Sequence, residues 1–74
     1  MNLYAAGKSG AFRITSVPKI SLLEGMGLRR GTNVTVQNRY IFGGPVLLRV
    51  EGAYSVAVGK DVAMQIGVER VNPQ

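Results

Sequence analysis

GGPVLLRVEGAYSVAVGKDVAMQIGVERV, residues 43–71, is the stretch that decides the fold. Side chains along a strand alternate between its faces. Val46, Leu48 and Val50 therefore share one face of a first run, and Tyr54, Val56 and Val58 share one face of a second. Between them, Gly52-Ala53 reads as a two-residue connection with glycine first, which suits a type II′ hairpin turn. Gly59-Lys60-Asp61 breaks the second run. Val62, Ala63 and Ile66 then fall at the i, i+1, i+4 spacing of a buried helical face, with Asp61 placed to open that turn. Ile66 and Val68 resume the alternation into a last strand. A hairpin, a helical turn and a returning strand make most of a small barrel.

Upstream, residues 32–37 alternate as another strand, with Val34 and Val36 inward and Asn33, Thr35 and Gln37 outward. Asn38 falls on the inner face, where an unpartnered amide is costly, so a bend or bulge is expected near Asn38-Arg39. Residues 19–26 form a short helix candidate. Ile20, Leu23 and Met26 make its apolar stripe, Leu22 widens it, and Gly27 ends it in a Schellman turn that lets Leu28 pack back on Leu23. Gly25 weakens this helix and offers room for another backbone. Phe12-Arg13-Ile14-Thr15-Ser16 is a first strand, with Phe12, Ile14 and Val17 entering the core and Pro18 stopping it. The order implies a mainly β fold: a small SH3-like five-stranded barrel with one short helix and one helical turn. Residues 1–10, small and glycine-containing, are expected to be a mobile segment, and residues 11–72 a single domain.

Seventy-four residues bound the chain to one small core, of which 46% hydrophobic and 18% charged residues argue against disorder. With no cysteine, no disulfide or zinc cluster supports that core, and a reducing cytoplasm is the expected compartment. The first ten residues lack a charged start followed by an apolar run, so no secretory signal is expected. No window approaches the ~18 consecutive apolar residues of a membrane span, so no direct membrane insertion is expected.

Without histidine or cysteine, the usual nucleophile–base pairs are missing, and Glu24, Glu51, Asp61 and Glu69 are not paired for acid–base work. No enzyme is expected, and no cofactor. Met26 and Met64 are soft metal ligands in principle, but both sit in apolar patterns, where a core methionine is the commoner case. No metal site is assigned. The glycines of Gly25-Met26-Gly27-Leu28-Arg29-Arg30-Gly31 close a helix and open a strand, the reverse of a phosphate loop.

The candidate binding surface is Arg39-Tyr40-Ile41-Phe42, because bulky apolar residues at a hairpin tip are unusual in a small monomer. Two readings stay open. Either Tyr40 and Phe42 cap the barrel mouth and only Ile41 is exposed, or the group faces a partner with Arg29, Arg30 and Arg39 as a basic rim. Leu47 points outward by alternation and is expected to be covered, by the helix in the preferred reading or else by a partner. The net charge of +5 is scattered, which favours a solvated surface over a nucleic-acid track, although Tyr40 and Phe42 would serve as stacking groups.

Leu22-Leu23-Glu24-Gly25-Met26-Gly27-Leu28-Arg29-Arg30-Gly31-Thr32-Asn33-Val34, Gly44-Pro45-Val46 with Leu48 and Val50, Ala57-Val58, Ala63, Ile66 and Val68 together resemble the FeoA family of ferrous iron transport proteins. The resemblance covers about residues 12–71, departs at Gly25 and Gly59-Lys60, and lies mostly in core and turn positions. It implies an SH3-like barrel and a non-catalytic cytoplasmic accessory of bacterial iron uptake. The implied partner is the cytosolic region of a FeoB-type membrane iron transporter, whose transport or GTPase activity it would modulate. Two alternatives remain: a small basic barrel that binds nucleic acid, and a detached SH3-like domain of a metal-dependent repressor. Weak self-association is compatible with each.

Overall fold

The computed structural model describes residues 1–7, 9–40 and 42–71. Its elements are β1 (Gly10–Ser16), α1 (Ser21–Gly25), β2 (Asn33–Arg39), β3 (Val46–Val50), β4 (Tyr54–Val58), α2 (Lys60–Ala63) and β5 (Gly67–Arg70). The strands form one antiparallel five-stranded sheet in the order β4-β3-β2-β1-β5. Its buried face is built by the alternation in the sequence. Leu48 pairs with Val36 on one side and Val56 on the other, and Val34 pairs with Val50 and Phe12. Phe12, Ile14, Val34, Val36, Val46, Leu48, Val50, Val58 and Val68 meet in one cluster with Leu23, Leu28, Ala63 and Ile66 from the helical segments.

α1 ends as its glycine dictates. Gly27 has φ +80°, and Leu28 N–H reaches the Leu23 carbonyl at 2.9 Å while Gly27 N–H reaches that of Glu24 at 3.0 Å. These are the two bonds of a Schellman ending, and both Leu23 and Leu28 are buried. The close approach is at Gly27, not at Gly25. A Cβ on Gly27 would collide with the Tyr54 hydroxyl, whereas nothing lies near one on Gly25. Tyr54 Oη donates to the Met26 carbonyl at 2.6 Å, so the same contact ties β4 to the end of α1.

The bulge in β2 lies between Val36 and Asn38, a residue early, and it turns Asn38 out to solvent. The β3–β4 turn differs from expectation. Positive φ occurs at both Glu51 (52°) and Gly52 (70°), and Ala53 N–H bonds the Val50 carbonyl at 2.9 Å. That is the signature of a type I′ turn centred one residue earlier, whose twist matches the flanking strands. Glu51 is held there by Asn33: its N–H donates to the Asn33 carbonyl at 2.9 Å and its carboxylate accepts the Asn33 N–H at 3.2 Å.

Five side chains are placed otherwise than expected. Leu22 is 70% exposed, because α1 is only five residues long and buries just Leu23. Tyr54 is partly exposed, reaching sideways to α1 instead of into the core. Met64 is exposed at the end of α2, whereas Met26 packs against the core. Leu47 is partly exposed and lies outside the core cluster, so no helix buries it. Asp61 stands in the first turn of α2 without capping it, since Gly59 is the N-cap and no side-chain cap bond forms.

The opening segment, expected to be mobile, is built into the barrel over residues 1–7. Leu3 is fully buried and Ala6 nearly so. Asn2 bridges Gly67, Val68 N–H bonds the Met1 carbonyl and Leu3 N–H bonds the Ile66 carbonyl, each at 2.8 Å. The backbone of residues 1–3 thus covers the start of the outer edge of β5 while Leu3 fills the core beneath it.

Leu3→Ala and Leu48→Ala should each cost about 2–5 kcal/mol in urea denaturation. Equal losses at the two sites would show the N-terminal segment to be part of the core, and a neutral Leu3→Ala would show it detached. Gly27→Ala should destabilise through both its backbone and the Tyr54 contact, and Tyr54→Phe by about 0.5–1.5 kcal/mol through the lost hydrogen bond. The double variant should cost less than the sum, because removing the hydroxyl opens the space that the new methyl needs.

Candidate functional site at the β2–β3 tip

The tip of the β2–β3 hairpin projects from the barrel mouth without closing it. Phe42 is 98% exposed and Tyr40 47% exposed, so neither caps the core. Ile41, the third apolar residue expected here, lies outside the described residues. Phe42 also has φ 60°, a left-handed conformation that costs a non-glycine residue about 1–3 kcal/mol. Buried surface does not offset that cost, because the ring touches almost nothing.

Arg39, at the end of β2, is partly buried and stacks on Tyr4 with its guanidinium carbon 5.1 Å from the ring centre. Lys60, the first residue of α2, brings its ammonium within 5.5 Å of the same ring. The Lys60 stem runs beside Gly43 at the hairpin tip, where a Cβ would sit 3.8 Å from Lys60 Cδ. The tip, the N-terminal segment and α2 therefore converge on Tyr4, which itself packs against the core. Arg39 Nε is buried without a hydrogen-bond partner among the described residues.

Arg29 and Arg30 do not join this patch. They lie in the α1–β2 turn, where Thr32 N–H bonds the Arg29 carbonyl at 3.0 Å and the Thr32 hydroxyl bonds the Gly27 carbonyl at 3.0 Å. β2 separates the two ends by about 20 Å at ~3.3 Å per residue, so they do not share the Tyr4 cluster. Their surroundings are a depression floored by Gly27, Val50 and Tyr54, and a neighbouring groove of about 410 Å³ between Val17–Pro18 and α1 that Arg29 also lines. The expected basic rim thus divides into Arg39 at the tip and Arg29 with Arg30 at the far end. Tyr4 and Lys60 were missed because the opening segment reads as mobile and Lys60 as part of a break. The pairing of residues 1–3 with β5 is what brings Tyr4 to Lys60 and the tip.

Among the described residues no three His, Cys, Asp or Glu side chains cluster as metal ligands. The salt bridge between Arg13 and Glu69, at 3.2 Å, lies across the exposed face of the β1–β5 pair. No helix is long and apolar enough to cross a membrane among those residues. What the tip can do is present an aromatic ring and two cations to a macromolecule.

Five antiparallel strands with short helical connections define an SH3-like β fold, and comparison with solved structures agrees. The crystal structure of an iron uptake regulatory protein (FeoA) superposes with a TM-score of 0.85 at 24% identity, covering 96% of this chain and 96% of that one. The NMR structure of a FeoA-like protein from Clostridium acetobutylicum gives 0.81 at 23%, covering 100% and 90%. ScaR with bound Cd2+ gives 0.85 at 23%, covering 96% of this chain but 35% of its own. At these identities the likeness establishes the shared fold. A comparison with curated protein sequences returned no match. The FeoA domain model matches residues 1–70, and the chain belongs to the FeoA family, which is linked to iron transport. The match takes in the N-terminal segment that the sequence resemblance left out.

Phe42→Asn should leave stability unchanged or raise it by no more than about 1 kcal/mol, since asparagine accepts the left-handed conformation and no buried surface is lost. A larger loss in urea denaturation would mean that the Phe42 ring is packed.

Proposed function

We propose that this chain is a non-catalytic accessory protein of ferrous iron uptake, and that it acts in the cytoplasm by binding the cytosolic region of a FeoB-type membrane transporter and modulating its transport or GTPase activity. Membership of the FeoA family over residues 1–70 carries the reading. The tip supports a place for the contact: an aromatic residue held in a costly backbone conformation with its ring in water suits a site kept for contact, because strain of this kind clusters at functional sites. Exposed aromatic residues are also the commonest anchors of protein interfaces. Tyr40, Phe42 and Arg39, with Ile41 between them in sequence, form the proposed contact, and Arg29 and Arg30 a second, separate basic surface.

Immobilised wild-type chain should retain the purified cytosolic region of the transporter at tens of micromolar, and Phe42→Ala and Ile41→Ser should each weaken retention by roughly tenfold or more, the effect of a residue worth about 1.4 kcal/mol or above. No retention by the wild type would refute the reading. Retention unaffected by both substitutions would move the contact off the tip.

A further inference from the structure

Arg39 and Lys60 point to the chemistry of what the tip binds. Both cations sit within 5.5 Å of the centre of the Tyr4 ring, from elements far apart in sequence. Like charges held on one aromatic ring repel each other, and burial of part of Arg39 removes water that would screen them. Among the described residues neither makes a salt bridge, and the Arg39 side chain makes no hydrogen bond, its Nε being buried and unpartnered. Other basic side chains are placed differently. Arg13 is paired with Glu69, Arg49 donates to the Gly52 carbonyl at 3.1 Å, and Arg70 stacks alone on Phe12. At Tyr4 two cations from separate elements meet on one ring, with no salt-bridge partner among the described residues.

We infer that Arg39, Lys60 and Tyr4 form a carboxylate-binding seat beside Phe42, so that the tip docks an acidic protein segment carrying an apolar residue for Phe42. This deepens, and rests on, the proposed contact with the transporter. The exposed donors of Arg39 and the Lys60 ammonium each offer charge-assisted bonds to carboxylates, whose charge would relieve the repulsion between the two cations. Tyr4 fixes the position of both cations beforehand, so less side-chain entropy is lost on docking. A nucleic-acid strand is the poorer fit. It requires free cations along a track, and of the other exposed arginines Arg49 is tied to the Gly52 carbonyl, Arg13 to Glu69 and Arg70 to the Phe12 ring, while Arg29 and Arg30 lie at the far end of β2.

The test uses the full chain, isotope-labelled for NMR, with three probes: the transporter's purified cytosolic region, a short peptide of Asp, Glu and Leu, and its Asn, Gln and Leu counterpart. The acidic peptide should shift the amides of Tyr4, Arg39, Phe42 and Lys60, and the amide peptide should not. Lys60→Gln and Arg39→Gln should each weaken binding of the acidic peptide and of the cytosolic region at least fivefold, whereas Arg29→Gln should leave both unchanged. Lys60, exposed at the start of α2, is the variant least able to disturb folding. Acidic-peptide binding without binding of the cytosolic region would uphold the seat and refute the proposed partner. Cytosolic-region binding that ignores salt, Lys60→Gln and Arg39→Gln would uphold the partner and overturn the seat. Equal shifts from both peptides, no shift from either, or tighter binding of a single-stranded oligonucleotide at the same amides would overturn it as well.

Discussion

Pairing of β1 with β5 is the constraint on which the barrel depends. It joins residues near the two ends of the described chain, and it sets Ile14 against Val68 over the same core that the β2–β3–β4 meander supplies. Neither half would bury its apolar face alone. The meander is local and hydrogen-bonds to β1 through β2, but without β5 the edge of β1 and the side chains of Phe12 and Ile14 would face water. Residues 1–3 complete the arrangement by bonding to the far side of β5. A small domain leaves one or two sheet edges exposed unless something covers them, and an uncovered edge invites pairing with other chains. Here the N-terminal backbone covers one of the two. Such long-range closure must pay loop entropy before it gains contacts, which places the chain among the slower-folding small topologies.

The same closure makes the tip site. Tyr4 is anchored because Leu3 is buried and because residues 1–3 are bonded to β5. It can then order Arg39 from β2 and Lys60 from α2. Stability and the proposed binding surface are therefore coupled through four consecutive residues. The hairpin tip departs from this economy at Phe42, where an unfavourable backbone conformation exposes a ring that a stability-driven sequence would replace with glycine or asparagine.

Much of the fold was legible because the relevant signals are local. Strict alternation marks Val46-Leu48-Val50 and Val34-Val36, and both sets are buried. Gly27 followed by Leu28 carries a Schellman ending within six residues, and the misfit of Asn38 exposes a bulge. Where reading failed, the deciding contact was distant. Leu3 is a lone leucine among small residues, and only the β5 edge gives it a place. Tyr54 fits the alternation of its strand, but its hydroxyl is drawn to the Met26 carbonyl of a segment 28 residues away. Arg29, Arg30 and Arg39 are close in sequence, yet the length of β2 between them holds them apart. The turn after Val50 was misread because glycine dominates expectation, while the bonds that let Glu51 adopt positive φ come from Asn33 across the sheet.

The distribution of charge follows from the size of the core. A barrel this small exposes most of its long side chains, so a net charge of +5 by itself says little about a partner. What distinguishes a binding surface is cations that the fold orders without satisfying. Arg13 is balanced by Glu69, and Arg49 is tied to its own turn. Arg70 lies over the ring of a fully buried Phe12 and so completes the cover of the core. These three are spent on the barrel. Arg39 and Lys60 are held by an aromatic ring and left without a counter-charge among the described residues, next to the most exposed aromatic side chain of the described protein. Two cations stacked on one ring beside an exposed aromatic side chain suit an incoming acidic and apolar surface. The cost is modest for the free chain because both cations keep part of their hydration, and the gain is realised when that hydration is exchanged for a carboxylate.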